Sequence, residues 1–214
     1  MNTFSLIKRY CVFFLGMVFC ALGISVVTRA GLGTSPVSGL PFVISLITGI
    51  SMGTFTFLFN MLFLLMEALI RRKIGILQLL QIPMTFCFSF FIDCFMKIIP
   101  TRFGGPWAPS FVYLITGCVI MALGISFEVV ADVIMLPAEA LVRAISQTTK
   151  IRFGNVKVAF DSTLTVIAMI VALLSFHKLN GVREGTLINA LIVGQIVKLW
   201  RRLFEERLNC FFQK

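Results

Sequence analysis

The sequence predicts an all-α membrane protein with six transmembrane helices, arranged as two inverted three-helix repeats, each with a short re-entrant or interfacial helix. Three observations lead to this prediction: the composition, the lengths of the apolar segments and an internal repeat. Of the 214 residues, 58% are hydrophobic and 13% are charged, whereas a soluble domain has about 45–50% apolar and about 25% charged residues. The composition therefore excludes a soluble globular domain, a disordered tail and a disulfide-bonded scaffold.

Six segments are long and apolar enough to cross a bilayer, because about 20 helical residues span its ~30 Å of hydrocarbon. These segments are residues 10–27, 54–70, 77–99, 110–130, 156–176 and 186–203. Two further apolar segments, 35–50 and 136–148, are too short to cross comfortably. Each has a proline, Pro36 or Pro137, where the first turn of a helix favours it. They are predicted to be short helices that re-enter the membrane or lie at its surface, and Ser35 is the expected N-cap of the first. In the alternative, both segments span, the two halves are parallel and residues 71–73 lie outside.

The internal repeat appears when the chain is shifted by 101 residues. The run Ala-Leu-Gly-Ile-Ser at 21–25 occurs again at 122–126, and Asn60 then corresponds to Asp161. Further identities at this offset indicate a duplication. They are Gly16 with Gly117, Pro36 with Pro137, Gly53 with Gly154, and Lys97 with Lys198.

The two predicted repeats, residues 1–100 and 101–214, contain three spans each. Because three is odd, the second repeat enters the membrane from the opposite side, so the repeats are inverted. Inverted repeats are frequent in secondary transporters, whose substrate site lies between the halves near the bilayer midplane.

The basic residues predict the orientation of the chain. With the N-terminus in the cytoplasm, 14 of the 19 Lys and Arg residues lie on the cytoplasmic side and five lie outside, as the positive-inside rule requires. Both termini are therefore expected in the cytoplasm, and the formal net charge of +10 reflects orientation and not nucleic-acid binding. The five outer residues are Arg29, Lys97, Arg102, Lys178 and Arg183.

Ionisable residues inside a span are the first candidates for a site, because one charge at a helix centre costs about 2.5–3.5 kcal/mol. Asp161 lies about one and a half turns inside the fifth span, with Lys157 four residues earlier on the same face. Glu128 and Glu139 are expected on the same, cytoplasmic side, and three converging carboxylates suit proton or cation coupling. The alternatives are a purely structural Lys157–Asp161 ion pair, Glu128 at the lipid headgroups and Glu139 as a helix-start charge.

Neutral polar residues complete the predicted site. Asn60, which corresponds to Asp161, is the candidate of the first repeat, with Ser35 at the start of the short helix and Asn189 in the last span. The alternative is that these groups only join helices, at ~0.6 kcal/mol each. The predicted substrate-binding residues are Asn60, Glu139, Asp161, Lys157, Ser35 and Asn189, and the predicted proton-coupling residues are Asp161, Glu139 and Glu128.

No pattern points to an enzyme, a metal ion or a cofactor. The six cysteines lack Cys-x-x-Cys spacing, His177 is the one histidine, and no phosphate-binding Gly-x-x-x-x-Gly-Lys-[Ser/Thr] loop occurs. Two other acidic residues, Glu67 beside Arg71 and Asp93 beside Lys97, are expected to form local ion pairs near the membrane surface.

Several motifs resemble the YczE/YyaS/YitT family of bacterial membrane proteins, and the resemblance covers nearly the whole chain. The motifs are Gly-Leu-Gly-Thr-Ser-Pro at 31–36, Pro-Ala-Glu-Ala-Leu at 137–141, Lys-Val-Ala-Phe-Asp at 157–161 and Arg-Glu-Gly-Thr-Leu-Ile-Asn-Ala-Leu at 183–191. This sequence has Glu139, Lys157 and Asp161 where the family pattern has Asp, Arg and Glu. The resemblance implies a multi-pass protein of the bacterial plasma (inner) membrane, and it implies no activity, because none is well established for the family.

The sequence as a whole predicts a small secondary transporter or exporter of a small polar or cationic solute, with proton coupling. Asn60 would bind the solute from the outer half, and Glu139 with Asp161 from the inner half. The alternative is a non-transporting membrane accessory or regulatory protein that acts on a partner protein. The expected partners are the lipid bilayer, a small-molecule solute and a second copy in a homodimer, with no nucleic acid.

Overall fold

The structure, a computed structural model, describes residues 3–72, 75–101, 107–177 and 180–213, and these residues form eight α-helices and no strand. The all-α class is thereby confirmed. Four of the basic residues used to predict orientation, Lys73, Arg102, Lys178 and Lys214, lie outside the described residues. The helices are α1 (Thr3–Arg29), α2 (Pro36–Thr48), α3 (Met52–Arg71), α4 (Ile76–Ile98), α5 (Trp107–Ala131), α6 (Pro137–Thr149), α7 (Phe153–Phe176) and α8 (Glu184–Gln213).

Five of these helices, α1, α3, α4, α5 and α7, are long and apolar enough to cross a membrane. Their outward faces carry large exposed apolar side chains, such as Leu65, Leu69, Phe86, Phe90 and Leu174, which contact lipid when the helices lie in a bilayer. The protein is therefore a multi-pass membrane protein. The sixth predicted span, residues 186–203, lies within α8, and an Arg201–Glu205 ion pair lies at the end of that span.

The two short helices end at similar signals. α2 is capped by Ser35, whose Oγ accepts a hydrogen bond from the Ser38 backbone N–H at 3.4 Å, and it ends at Gly49 with a left-handed φ of 73°. α6 has Leu136 at the N-cap position and no side-chain cap, and it ends at Lys150 with a φ of 60°. Proline occupies the first position of both helices, where its missing N–H costs nothing.

Glycines allow α1 and α5 to cross at close range in the centre of the bundle. A Cβ atom on Gly124 would lie 2.5 Å from the carbonyl oxygen of Gly16, and one on Gly117 would lie 3.0 Å from that of Gly23. Residue numbers rise along α1 as they fall along α5, so the two helices are antiparallel. Only glycine leaves room for this backbone contact.

The short helices pack across the molecule rather than against their own neighbours alone. α2 lies against α7, where Val43 contacts the cluster containing Ala168, and α6 lies against α3. Val37 at the start of α2 packs against the same apolar cluster that contains Ala138 at the start of α6 and Phe63 of α3. The N-terminal ends of both short helices therefore lie close together in the interior.

Candidate functional site

A cavity of about 510 Å³ lies at the end of the bundle where α1 begins. The contact of Phe13 with Ala131 and Ile134 places the start of α1 beside the end of α5 at this position. The wall, which we call the acidic cavity, is formed by the ends of α3 and α5, the start of α4, and α6. Its charged residues are Glu67, Glu128, Asp132, Glu139, Arg71 and Arg143.

Two carboxylates of this wall are buried. Glu128 is 7% exposed, and its Oε1 has no hydrogen-bond partner. Glu67 is 3% exposed; its Oε1 lies 2.7 Å from Arg71 Nε, while its Oε2 has no partner. The predicted Glu67–Arg71 ion pair therefore exists, and its carboxylate lies in the cavity wall.

Two buried amides from α4 join the same wall. Gln78 Oε1 accepts a hydrogen bond from the Gly75 backbone N–H at 2.7 Å, which leaves Gln78 Nε2 without a partner. Gln81 Oε1 also has none. Neither residue is among the predicted site residues, although both belong to a polar stripe that continues through buried Thr85 and Ser89. The signal was their spacing of three and four residues, which places them on one face of the helix.

Glu139 enters the cavity wall from the first turn of α6, outside the membrane-spanning helices. Burial raises the pKa of the Glu139 carboxyl; the positive charge of Lys157 lowers it, and the negative charge of Asp161 raises it. The helix N-terminus favours a carboxylate at this position. The charges of Lys157 and Asp161 on α7 therefore shift the pKa of Glu139, a residue of the cavity wall.

Lys157 and Asp161 form an ion pair on α7, with Nζ 3.0 Å from Oδ1 and each side chain about a quarter exposed. Neither residue lines the acidic cavity. Of the three carboxylates predicted to converge, Glu128 and Glu139 therefore share the cavity wall. Asp161 lies outside the wall but is close enough to raise the pKa of Glu139. The predicted local ion pair exists and is also a neighbour of the site.

The neutral candidates lie away from this cavity. Asn60 is buried, and its Nδ2 donates a hydrogen bond to the Thr56 carbonyl oxygen, one turn earlier in α3, at 2.8 Å. Asn189 is also buried, with its Nδ2 3.5 Å from Cys118 Sγ. The Asn60 contact lies within α3, the Asn189 contact joins α8 to α5, and Ser35 caps α2. None of the three residues lines the acidic cavity.

The opposite end of the bundle is closed by the segment 31–34 after α1, which packs against residues 183–186 at the start of α8. We call this packing the closed contact. Thr34 is fully buried there, and its Oγ1 lies 2.6 Å from Thr28 Oγ1. The hydrogen bonds across the closed contact run from Gly185 N to Leu32 O (2.8 Å), from Thr34 N to Thr186 Oγ1 (3.2 Å) and from Arg183 Nη1 to Gly31 O (3.3 Å).

The predicted ion pair of Asp93 with Lys97 is wrong. Asp93 Oδ2 accepts a hydrogen bond from Ser51 Oγ at 2.6 Å, and Oδ1 accepts one from the Gly53 backbone N–H at 2.7 Å. The first N–H groups of a helix need acceptors and favour a negative charge. Asp93 therefore binds the start of α3, and the four ion pairs found in the described part of the chain do not include it.

The chemistry of the site is that of carboxylates, amides and guanidinium groups. Within the described ranges, no three His, Cys, Asp or Glu side chains are grouped so that they could hold a metal ion. Cys20 and Cys118 are buried free thiols in the apolar core between α1 and α5. The acidic cavity can bind hydrogen-bond donors and exchange protons.

Comparison with known proteins identifies a family whose function is unknown. The sequence model of a family described as a family of unknown function (DUF6198) matches residues 7–202. The chain is 24% identical over 198 residues to the uncharacterized protein YyaS of Bacillus subtilis (strain 168), across 92% of this chain and 94% of that protein. No solved structure matches. The resemblance to the YczE/YyaS/YitT family is thereby confirmed.

Proposed function

We propose a transport function for this chain, which belongs to DUF6198, a family of unknown function. The proposed activity is secondary transport or export of a small polar or cationic solute, coupled to protons. One observation carries the proposal: one wall of the acidic cavity contains the buried Glu128 and the half-buried Glu139, with Glu128 Oε1 unpartnered. Ionisable groups at membrane depth are expensive and mark substrate or proton pathways. The proposal assigns the chain no catalytic step.

In the proposed membrane arrangement, α8 is the sixth span and residues 1–100 and 101–214 are inverted repeats. The antiparallel α1–α5 contact supports this arrangement, and so does a pair of matching hydrogen bonds. Ser25 Oγ lies 3.4 Å from the Ile92 carbonyl oxygen of α4, and Ser126 Oγ lies 3.4 Å from the Val197 carbonyl oxygen of α8. Ser25 and Ser126 are repeat-related, so α8 contacts α5 as α4 contacts α1.

The two short helices are proposed to re-enter the membrane from opposite sides and to meet near its midplane. The shared apolar cluster around Val37 and Ala138 supports this position. Half-helices that meet in this way bring their positive N-terminal ends to a central site. With the N-terminus in the cytoplasm, the acidic cavity faces the cytoplasm and the closed contact faces outside.

Transport then follows from alternating access combined with protonation. The cavity binds its solute when Glu128 and Glu139 are ionised, and protonation of Glu139 releases it. Rocking of one repeat against the other closes the acidic cavity and opens the closed contact. In this scheme Lys157 and Asp161 adjust the protonation of Glu139, while direct binding of solute by Asn60, Ser35 and Asn189 stays a prediction, as does a homodimer.

Proton movement in proteoliposomes tests the proposal. Purified protein is reconstituted with a pH-sensitive dye inside, and amino acids, polyamines, organic cations, nucleobases and anions are added one class at a time. At least one class is expected to drive proton flux through the natural protein and through a Glu205→Gln control, whose carboxylate lies far along α8. Glu139→Gln is expected to abolish the coupled proton flux.

A lack of proton flux with every solute favours the alternative, a non-transporting accessory or regulatory protein. If no solute moves protons and none raises the melting temperature, transport by this chain is contradicted. A bound ligand at 100 times its dissociation constant adds about 2.7 kcal/mol to stability, which a melting experiment detects.

A further inference from the structure

We infer that the ligand of the acidic cavity carries a protonated amine or guanidinium group whose N–H groups bind the cavity wall. This inference rests on the proposed function, because the ligand is taken to be the transported solute. It narrows the solute from any polar or cationic molecule to one that brings several hydrogen-bond donors on a positive charge.

The cavity wall contains more unpartnered hydrogen-bond acceptors than donors. Three acceptor atoms have no partner, Glu67 Oε2, Gln81 Oε1 and Glu128 Oε1, and one donor has none, Gln78 Nε2. These four side chains are between 3% and 7% exposed. Buried polar atoms are nearly always hydrogen-bonded in folded proteins. The surplus of acceptors therefore calls for a ligand that is rich in donors.

Neighbouring hydrogen bonds decide which atoms of these side chains are available. Arg71 Nε occupies Glu67 Oε1, so Oε2 is the free oxygen of that carboxylate. The Gly75 N–H occupies Gln78 Oε1, which orients that amide with its Nε2 free. The free acceptors come from three helices, α3, α4 and α5, and an ammonium group with three N–H donors can bind one acceptor from each.

The charges of the wall favour a cation. Arg71 balances Glu67, whereas no ion pair among the described residues engages Glu128 or Glu139. The two arginines of the wall, Arg71 and Arg143, are exposed at the mouth. The buried part of the cavity is therefore negative, while the exposed Arg143 and Asp132 of the wall carry opposite charges.

Apolar side chains form much of the remaining wall, so the ligand also has a hydrocarbon part. The exposed Arg143 further allows a carboxylate at the far end of the ligand, as in an amino acid. A simple amine and a zwitterion share the ammonium group and differ in this second charge. The apolar residues of the wall are Leu77, Ile125, Val129, Val133, Ile134, Met135 and Ala140.

Binding to the purified full chain distinguishes the classes of ligand. The probes are n-butylammonium, 4-aminobutyrate as the zwitterion, tetramethylammonium, which has no N–H, and butanol, which has no charge. The ammonium-bearing probes are expected to bind about tenfold or more tightly than tetramethylammonium, since hydrogen bonds to charged groups are the strong ones. Tighter binding of 4-aminobutyrate than of n-butylammonium identifies the zwitterion; the reverse identifies the simple amine.

Variants locate the bound ammonium group. Glu128→Gln and Gln81→Leu are each expected to weaken binding of the better ammonium probe about tenfold. Gln195→Leu, an exposed position on α8, is the matched control and is expected to leave binding unchanged. If Glu128→Gln lowers the melting temperature, Glu128→Asp, which keeps the charge, is measured beside it and is expected to retain binding.

Separate outcomes overturn the inference and the proposed function. Equal binding of tetramethylammonium and n-butylammonium, or unchanged binding in both Glu128→Gln and Gln81→Leu, overturns the ammonium site. If proteoliposomes move a solute without an N–H-bearing cation, this inference is wrong and transport stands. If no solute moves protons in the same proteoliposomes, the proposed function itself is wrong.

Discussion

The two ends of the molecule are built from corresponding residues, yet the described residues form a cavity at one end and the closed contact at the other. At an offset of 101 residues, Glu139 of the acidic cavity corresponds to Ser38, and Met135 corresponds to Thr34 of the closed contact. The helices around both ends pair in the same pattern, α3 with α6 and α2 with α7. The difference between the ends therefore lies in the size and charge of their side chains.

Small residues line the end of the molecule that holds the closed contact. A Cβ atom on Gly185 would lie 2.6 Å from the Leu32 carbonyl oxygen, and one on Gly39 would meet Val182 at 3.4 Å. The residue that corresponds to Gly39 is Ala140, and beside it Glu139 brings a carboxylate whose burial without a partner costs free energy. The charged, bulkier copy of the same arrangement holds the cavity, so substitutions on a common arrangement of helices account for the difference between the two ends.

Exchanging the residues of one corresponding pair gives the largest expected effect. Ser38→Glu places a carboxylate at a position that is 4% exposed and is expected to lower the free energy of unfolding by about 3–5 kcal/mol, the cost of an uncompensated buried charge. Chemical unfolding in detergent measures this loss. The reverse change, Glu139→Ser, is expected to leave stability equal or higher, and similar losses in both variants would break the comparison.

Enlarging a glycine of the closed contact is expected to have the next largest effect. Gly33 has a φ of 127°, and a Cβ atom there would lie 2.5 Å from Thr186 Oγ1. Gly33→Ala is therefore expected to cost about 2–3 kcal/mol of stability through backbone strain and overpacking. Gly154→Ala is the control, because nothing lies within 4 Å of its Cβ position. Equal melting temperatures for the two variants would contradict tight packing at the closed contact.

Removing the cap at the start of α3 tests a second stabilising contact at the end of the molecule that holds the closed contact. Asp93→Ala loses the hydrogen bonds from Ser51 and Gly53, and the free energy of unfolding is expected to fall by about 1–2 kcal/mol, as for other helix caps. Lys97→Ala is expected to change it by less than about 0.5 kcal/mol. A larger loss for Lys97→Ala than for Asp93→Ala would restore the ion pair and refute the cap.

The smallest expected effect is a dependence of stability on pH at the acidic cavity. Burial raises the pKa of Glu139 in the folded protein, so the folded state binds its proton more tightly than the unfolded chain does. Stability from this residue is full below the unfolded pKa of about 4.3 and is lost as the pH rises toward the folded pKa. Glu139→Gln is expected to melt higher than the natural protein at pH 8 and to lose this advantage near pH 4.

Glu205→Gln is the control for this titration, because its carboxylate is half-exposed and paired with Arg201. Its difference from the natural protein is expected to stay constant between pH 5 and pH 8. A difference that falls with rising pH for Glu139→Gln would contradict the raised pKa.

The helices were predictable because their signals are local. Pro36 and Pro137 mark the starts of the two short helices, and uninterrupted apolar length marks the five spanning helices that the structure describes. These signals depend on the bilayer and on backbone chemistry, so a single sequence carries them.

The cavity wall was less predictable because it depends on which helix faces meet. Glu67 and Asp93 each have a basic residue four positions later, and that pattern is the same for a surface pair and a buried residue. Glu67 lies in the cavity wall, while Asp93 caps a neighbouring helix. Conversely, the correspondence of Asn60 with Asp161 says nothing about the Thr56 carbonyl that occupies its amide.

Accessibility of one matched pair of residues tests the central claim most directly. Val133 lines the acidic cavity, and Leu32, 101 residues earlier, is buried in the closed contact. In a background without the native cysteines, Val133→Cys and Leu32→Cys are labelled with a membrane-impermeant thiol reagent from each side, with and without a pH gradient and solute. The account predicts that Val133→Cys reacts from the cytoplasmic side alone, and that conditions which drive transport raise labelling of Leu32→Cys from outside as they lower that of Val133→Cys. Labelling of both positions from one side, or labelling that never changes in opposite directions, would contradict it.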